Sequence, residues 1–182
     1  MIFFNPYAIV SRSYQLVQQT IRNDDTNQFA SSINFNYIAT SFTSSTTYDV
    51  RKVEIYLAKT GSPVSVISQK IYSSGTDGLP NTLLYTSTTK LSASAVTTIS
   101  PITSSYTFDY SEGSNLTSAS VYHIAMYVSS NTTGSFPSAA LLVGIAYNDT
   151  PGQKLTRDND GITPFTLIYN STQMGHKLYK YE

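Results

Sequence analysis

The residues best suited to chemistry in this sequence are a few carboxylates near turn-forming glycines. The segment TRDNDGIT places Asp158 and Asp160 directly before a glycine, and carboxylate oxygens are ligands that Ca²⁺ prefers. Asp77 and Asp149, in two other loops, add oxygen ligands if the loops converge. The EF-hand spacing fails, because Thr156 occupies its first ligand position. A structural calcium site at Asp77, Asp158 and Asp160 is therefore one expectation, and simple Asx-turns are the alternative.

Other catalytic and metal-binding patterns are absent from the sequence. There is no Gly-x-Ser-x-Gly nucleophile elbow, and the two histidines, His123 and His176, lie far apart. The chain has no cysteine and no group of residues with zinc-ligand spacing. His123 falls in an alternating apolar segment, which indicates a structural role, and Glu54 alternates toward solvent beside Lys52. We therefore expect a protein that is not an enzyme and that carries no cofactor.

Tyrosine and asparagine are the residues most suited to binding. The chain has 15 tyrosines, and an exposed tyrosine ring suits carbohydrate contacts and protein interfaces because it buries area at small entropic cost. The alternative is that the tyrosines simply fill strand positions. Four Asn-x-Ser/Thr sequons fall at or beside predicted turns and are candidate glycosylation sites. They are Asn115, Asn131, Asn148 and Asn170.

The charge content argues against several classes of partner. Only 12% of the residues are charged and the formal net charge is zero, so the chain lacks the basic footprint of a nucleic-acid-binding protein. No segment approaches 18 apolar residues, and we expect no membrane insertion. The start, MIFFNPYAIVSRSYQ, lacks the basic and long apolar regions of a signal peptide.

The elements that must position these residues are short strands. Period-two alternation recurs in INFNYIA, RKVEIYLAK, YTFDY and VYHIAMYV, whereas helical periodicity is nearly absent. In RKVEIYLAK the alternation predicts that Val53, Ile55 and Leu57 point inward. ALLVGIAY is apolar on both faces, which is typical of a central strand. About ten such segments separated by Gly, Pro, Asn and Asp turns predict a sandwich or a barrel.

The first 30 residues differ from the rest of the chain. YQLVQQTIRNDDTNQF is rich in amides and weakly patterned, which favours an arm or an edge strand. The polar RNDDTN is the best candidate for a hinge within this segment. We therefore predict an N-terminal arm or edge strand over 1–30 and a β-sandwich domain over 31–182.

A Gly-Leu-Pro corner lies within IYSSGTDGLPNTLLYTS, between two apolar runs. Pro80 fixes its own φ and pushes Leu79 toward extended geometry. We expect Gly78 to adopt a positive φ, which other residues resist. Leu79 would then fold under the corner and close one end of the sandwich.

The segment VRKVEIYLAKTGSPVSVISQKIYSSGTDGLPNTLLYTSTTKLSAS resembles a jelly-roll-like β-sandwich module of cell-surface, extracellular and virus-encoded proteins. The matching pieces are the turn at 59–63, Ile71-Tyr72, the corner at 78–82 and the strand at 83–87. YTFDYSEGSNLTSASVYHIAMYV is similar to the next strand pair of the module, and the last 27 residues to its closing hairpin. The module's usual tryptophan there is absent.

The resemblance implies an all-β fold, a two-sheet jelly-roll sandwich of about eight to ten antiparallel strands with an N-terminal arm. Together with the Met1 start and the amide-rich arm, it favours a non-enzymatic structural protein of a virus particle, either a capsid, vertex or surface-spike component. Such a protein would form homo-oligomers, contact other virion proteins and meet a host-surface glycan, with the virion as its location. The alternative is an extracellular or cell-surface adhesion or carbohydrate-binding module.

Overall fold

The structure, a computed structural model, describes residues 13–20, 25–29, 37–98, 104–129, 139–147, 154–158, 166–170 and 172–182. These residues form sixteen strands and one 3₁₀ turn, Ala93–Ala95, and the described ranges contain no α-helix. A helix of the length and apolar character needed to cross a bilayer is likewise absent from these ranges. The all-β prediction is confirmed.

The strands, in chain order, have the following bounds: β1 Tyr14–Thr20, β2 Asp25–Phe29, β3 Tyr37–Thr43, β4 Tyr48–Asp49, β5 Lys52–Gly61, β6 Val66–Ser74, β7 Pro80–Thr86, β8 Leu91–Ser92, β9 Ser105–Asp109, β10 Asn115–Leu116, β11 Val121–Val128, β12 Ala139–Tyr147, β13 Lys154–Asp158, β14 Thr166–Asn170, β15 Thr172–Met174 and β16 His176–Tyr181. Their number exceeds the expected eight to ten; β4, β8 and β10 have only two residues each, and Gly175 alone separates β15 from β16, which accounts for part of the excess.

The strands form two seven-stranded antiparallel sheets and one short ribbon. Sheet one has the order β1-β16-β5-β12-β15, with β2 on β12 and β9 on β5. Sheet two has the order β14-β13-β3-β11-β6-β7, with β8 on β6. The ribbon joins β10 to β4. The arrangement is a sandwich, and the jelly-roll connectivity stays a prediction.

The core lies between the two sheets. Val53, Ile55 and Leu57 of β5 are fully buried there, as the alternation predicts. Strand β11 of sheet two contributes the alternating set Tyr122, Ile124, Met126 and Val128 to the same core. Burying one such aliphatic side chain stabilises a fold by roughly 1.5–3 kcal/mol, so this interlayer contact holds the two sheets together.

The outer face of sheet two carries a second, smaller group of packed side chains, which we call the Lys70 cluster: the buried Tyr37 and the half-buried Lys70 and Tyr127. Tyr37 and Tyr127 are cross-strand partners, and their ring centroids are 4.5 Å apart. The Lys70 ammonium donates a hydrogen bond to Tyr37 Oη at 2.8 Å and lies 4.2 Å from the Tyr127 ring centroid. Tyr37 is only 4% exposed, so this outer face is part of the packed structure.

The described parts of the first 30 residues belong to sheet one. β1 pairs with β16, the last strand of the chain, and forms one edge of the sheet. β2 pairs with β12. A hydrogen bond from Ser13 to the Glu182 carboxylate ties the start of β1 to the end of β16. The division of the chain at residue 30 stays a prediction.

Candidate functional site

The outer face of sheet one presents a row of aromatic and charged side chains, which we call the Lys52 row: Tyr14, Lys52, Glu54, Lys177 and Tyr179. Alternation along β5 directs Lys52 and Glu54 away from the core that Val53 enters. The register with β16 places Tyr179 opposite Lys52 and Lys177 opposite Glu54. Tyr14 of the neighbouring strand β1 extends the row to the edge of the sheet and is 41% exposed.

Lys52 is the centre of this row. Its Nζ lies 4.4 Å from the Tyr14 ring centroid and 4.0 Å from the Tyr179 ring centroid. It also lies 3.6 Å from Glu54 Oε1, while Lys177 Nζ lies 3.4 Å from Glu54 Oε2. Contacts of a cation with aromatic rings at partly exposed sites contribute about 0.5–1 kcal/mol each. The row is therefore held in one conformation before any partner arrives.

The pKa shifts of Tyr14, Tyr179 and Lys177 keep these three groups of the row in their ordinary charge states at neutral pH. The hydrogen bond with Tyr181 and burial raise the pKa of Tyr14 to about 12. Burial and the charge of Glu54 raise the pKa of Tyr179. Burial lowers the pKa of Lys177, but Tyr179 and Glu54 outweigh it and the pKa rises. At neutral pH the row therefore offers neutral phenols and a charged amine, which suit binding contacts.

A cleft of about 260 Å³ lies beside the row, and we call it the Arg51 pocket: Thr47, Tyr48, Asp49, Arg51, Glu112, Lys180 and Tyr181 line it. Arg51 Nη1 lies 3.2 Å from Asp49 Oδ2, and Nη2 lies 3.0 Å from Glu112 Oε1. The Arg51 guanidinium carbon lies 4.6 Å from the Tyr181 ring centroid. Arg51 is 8% exposed, whereas Glu112 is 73% exposed. A buried cation is thus held between two carboxylates at the cleft floor.

Backbone hydrogen bonds fix the position of Arg51. Its N–H donates to Tyr179 O at 2.9 Å, and its carbonyl accepts from Tyr110 N–H at 2.9 Å. The β4–β10 ribbon holds Asp49 opposite Asn115. Gly113 adopts a φ of +86° in the turn after Glu112, and its N–H donates to Asp49 Oδ2 at 3.3 Å. Three separate segments of the chain therefore build the pocket.

The calcium expectation receives no support from the described residues. Asp77 forms an Asx-turn, because its Oδ1 accepts a hydrogen bond from Leu79 N–H at 3.0 Å. Asp158 ends β13, where its backbone lies opposite Tyr37, and its side chain is not described. Asp160 lies outside the described residues. The described ranges hold no group of three metal-ligating side chains, and the calcium site stays a prediction.

The Gly-Leu-Pro corner is the turn of the β6–β7 hairpin. Gly78 has a φ of +72°, as predicted, and its N–H donates to Gly75 O at 3.0 Å. Pro80 begins β7 and lies opposite Ser74. Leu79 is half-buried, and its closing of one end of the sandwich stays a prediction. The turn is held by its own hydrogen bonds.

The candidate glycosylation sites lie in different places. Asn115 is exposed in β10, beside the Arg51 pocket, and its carbonyl accepts a hydrogen bond from Tyr85 Oη at 2.9 Å. Asn170 ends β14, and its side chain is not described. Asn131 and Asn148 lie outside the described residues. Glycosylation stays a prediction at all four positions.

Both histidines are fully buried. His123 Nε2 lies 3.2 Å from Ser74 Oγ, which fits the structural role that the sequence indicates. His176 Nδ1 lies 2.9 Å from Met174 O, so this nitrogen carries the proton and donates it to the carbonyl. Burial lowers the pKa of His176 to about 4. Neither ring is part of the candidate site.

Sequence reasoning did not identify the Arg51 pocket. The sequence pattern around Arg51 does not mark a site, because Arg51 is one polar residue among several at the start of an alternating strand. Glu112 is 61 residues away in the chain, and Lys180 and Tyr181 are at its end. One clue was present, since Arg51 is one of only 11 basic residues in the chain.

Comparison with known proteins does not assign this chain to a family. No family model matches the sequence, and no curated protein matches it.

Proposed function

We propose that this protein is a non-enzymatic structural protein of a virus particle, a capsid, vertex or surface-spike component that assembles with itself or docks on other virion proteins. The observation that carries the proposal is the strand β1 at the edge of sheet one. Among the described strands β1 pairs with β16 alone, so its second side has backbone groups for a further strand.

The sequence of β1 suits pairing with another chain. YQLVQQT contains no charge, no proline and no glycine, which is typical of segments that add to other strands. Tyr14 is 41% exposed and Leu16 is 44% exposed. The register shift between Leu16 and Gln18 is its one protective feature, since bulges blunt an edge. Natural proteins rarely leave such an edge uncovered, and a partner strand is a direct way to cover it.

An edge strand of the other sheet, β7 in sheet two, is better protected. It begins with Pro80, and its pairing with β6 shifts register twice. Proline and bulges both interrupt the regular row of hydrogen-bonding groups that an added strand requires. We therefore assign the assembly contact to β1.

The particle context is supported by the antiparallel sandwich fold and by the module resemblance of 50–94. A sandwich supplies rigid edges and faces for repeated contacts between subunits. The location that follows is the virion, and the proposed partners are further copies of the chain and other virion proteins. The low charge content fits contacts with proteins and gives no support to nucleic-acid binding.

The test is the solution mass of the protein across concentration by light scattering, with Leu16→Lys as the variant. A lysine in the middle of the edge must be desolvated when another strand is added, so Leu16→Lys shifts the protein toward monomer. Leu84→Lys in β7 is the matched control, because Leu84 is 37% exposed on the other edge. A full-length chain that stays monomeric at high concentration would contradict the proposal, as would equal loss of assembly in both variants.

An extracellular adhesion or carbohydrate-binding module is the second candidate. The Lys52 row, with Tyr14 exposed at its end, favours it, because tyrosine rings beside charged groups are typical of sugar-binding and protein-binding surfaces. A panel of immobilised glycans separates the two candidates. Glycan binding by a chain that never assembles supports the second, and concentration-dependent assembly with no glycan binding supports the first.

A further inference from the structure

We propose that the Arg51 pocket binds one neutral sugar residue of a glycan. The inference rests on the second candidate function, and it also serves a virion protein that contacts a host surface. The polar groups of the pocket, its charge balance and its size suit such a ligand.

The pocket lining offers both kinds of hydrogen-bonding group. The Glu112 carboxylate is 73% exposed and accepts hydrogen bonds, and the half-buried Lys180 ammonium donates them. A sugar hydroxyl donates one hydrogen bond and accepts others, so hydroxyl groups of one sugar can meet both a carboxylate and an ammonium.

The charges of the pocket favour a neutral ligand. Arg51 and Lys180 supply two positive charges, and Asp49 and Glu112 supply two negative charges. An anionic ligand would have to compete with Asp49 and Glu112 for the Arg51 guanidinium, which already lies 3.2 Å and 3.0 Å from their oxygens. A ligand with no net charge keeps both ion pairs and adds hydrogen bonds to them.

The size and shape of the cleft suit one ring. Its volume of about 260 Å³ is below the roughly 300–1,000 Å³ of pockets that enclose drug-sized ligands. Tyr48 and Tyr181 add aromatic surface, which contacts the apolar C–H face of a sugar. Tyr14 lies next to the lining residue Tyr181, with ring centroids 4.9 Å apart, so we expect further sugar residues of a glycan to extend along the Lys52 row.

The pocket is organised before binding. The ion pairs, the Tyr181 ring and two backbone hydrogen bonds restrict Arg51, so the ordering of its long side chain occurs on folding and does not weaken binding. The affinity for one sugar residue is nevertheless weak, about millimolar, because the ligand makes few contacts.

The test is a titration of the ¹⁵N-labelled full chain with the methyl glycosides of galactose, glucose, mannose and N-acetylglucosamine, followed by NMR. We expect at least one of them to shift the amide signals around 47–51 and 110–114. The methyl glycoside of glucuronic acid and sialic acid serve as anionic probes and should bind more weakly. No shift with any neutral glycoside, or tighter binding of an anionic probe, would overturn the proposal.

Glu112→Gln sharpens the test because Glu112 is exposed and its replacement preserves shape. The variant loses one carboxylate acceptor, and we expect about tenfold weaker binding of the neutral glycoside, the effect of one hydrogen bond. Its pocket gains a net positive charge, so binding of methyl glucuronide should strengthen. Asp77→Asn, at an exposed carboxylate of the β6–β7 turn outside the pocket, keeps the oxygen that accepts from Leu79 N–H; it is the control and should change neither.

The outcomes distinguish this inference from the functions it builds on. If the glycosides shift amide signals of the Lys52 row and none around the Arg51 pocket, the proposed binding site is wrong. The adhesion or carbohydrate-binding function would still be supported. Light scattering on the same samples reports assembly independently of sugar binding. Concentration-dependent assembly without any glycoside-induced shift would remove the inference and leave the virion proposal intact.

Discussion

The two sheets use the same residue types on their outer faces, with opposite results. In the Lys70 cluster, the ammonium lies 4.9 Å and 4.2 Å from two tyrosine rings, and in the Lys52 row the corresponding distances are 4.4 Å and 4.0 Å. Tyr37 of the cluster is 4% exposed, whereas Tyr14 of the row is 41% exposed. Similar local contacts are thus structural on one face and accessible to a partner on the other.

The electrostatics of the two faces follow their burial. Burial lowers the pKa of Lys70, although the neighbouring Tyr127 partly opposes this effect. On the outer face of sheet one, burial lowers the pKa of Lys177, but Tyr179, Glu54 and Tyr56 together outweigh it and the pKa rises. A cluster whose cation is disfavoured by burial persists through its packing. A row whose cation is favoured by its neighbours carries its charge readily and is the better binding surface.

The largest effect that separates the faces is expected for Tyr37→Ala. It removes a buried ring and leaves the Lys70 ammonium without its hydroxyl acceptor, so the free energy of unfolding should fall by about 3–4 kcal/mol. Urea unfolding measures the loss. Tyr37→Phe is the control, because it keeps the ring and should cost only about 1 kcal/mol. A small loss with Tyr37→Ala would mean that the cluster does not support the fold.

The buried side of β16 carries His176, which should make the stability of the fold depend on acid pH. Unfolded His176 binds a proton near its usual pKa of 6.5, but the folded protein does so only near pH 4. The contribution of the neutral His176 ring to the free energy of unfolding is therefore fully present above pH 6.5. It is lost as the pH falls toward 4, by about 3 kcal/mol in total. Between pH 7 and pH 4, the free energy of unfolding should fall more steeply for the wild type than for His176→Leu. Equal dependence on pH in the two proteins would contradict the lowered pKa of His176.

A substitution in the β6–β7 turn, which belongs to neither outer face, gives a stability loss of backbone origin with which the two faces can be compared. Gly78→Val places a β-branched residue at a φ of +72°, and we expect a loss of more than about 1 kcal/mol of stability. Thr76→Val, in the same turn at an exposed position, is the control and should be nearly neutral. Thermal unfolding of both variants measures the difference. Equal midpoints would show that the turn tolerates a side chain there.

The smallest effect on stability is expected for Tyr179→Ala in the Lys52 row. The ring is partly exposed and loses one cation contact, so the free energy of unfolding should fall by less than about 1.5 kcal/mol. Binding to a glycan or to a partner subunit should weaken instead. Calorimetry with the partner, together with urea unfolding, measures both. A stability loss as large as that of Tyr37→Ala would remove the distinction between the faces.

The parts of the fold that depend on local patterns could be predicted from the sequence. Alternation alone places Val53, Ile55 and Leu57 in the core, and the need for a positive φ identifies Gly78. The packing of Leu79 is not a local property, because turn chemistry does not say whether a corner lies over the core. Local chemistry at a turn can be predicted, and its position against the sheets cannot.

The Arg51 pocket and the difference between the faces also could not be predicted. The pocket joins Arg51 to Glu112 and Tyr181, and their meeting depends on the pairing of β4, β5 and β16 with distant strands. Lys52 and Lys70 both alternate outward along their strands and are both half-buried, and only the tertiary packing buries Tyr37 beside Lys70 while leaving Tyr14 beside Lys52 exposed. Period-two patterns assign a side chain to a face, but they do not say what covers that face.

The central claim is that the protein acts by contact through β1, and hydrogen–deuterium exchange across concentration tests it most directly. Adding a strand engages the outward-facing backbone amides of β1, so exchange in 14–20 should slow as the protein concentration rises. Exchange in 80–86, on the protected edge, should not change. If the protein assembles while 14–20 exchange at an unchanged rate, the contact lies elsewhere and the account is wrong.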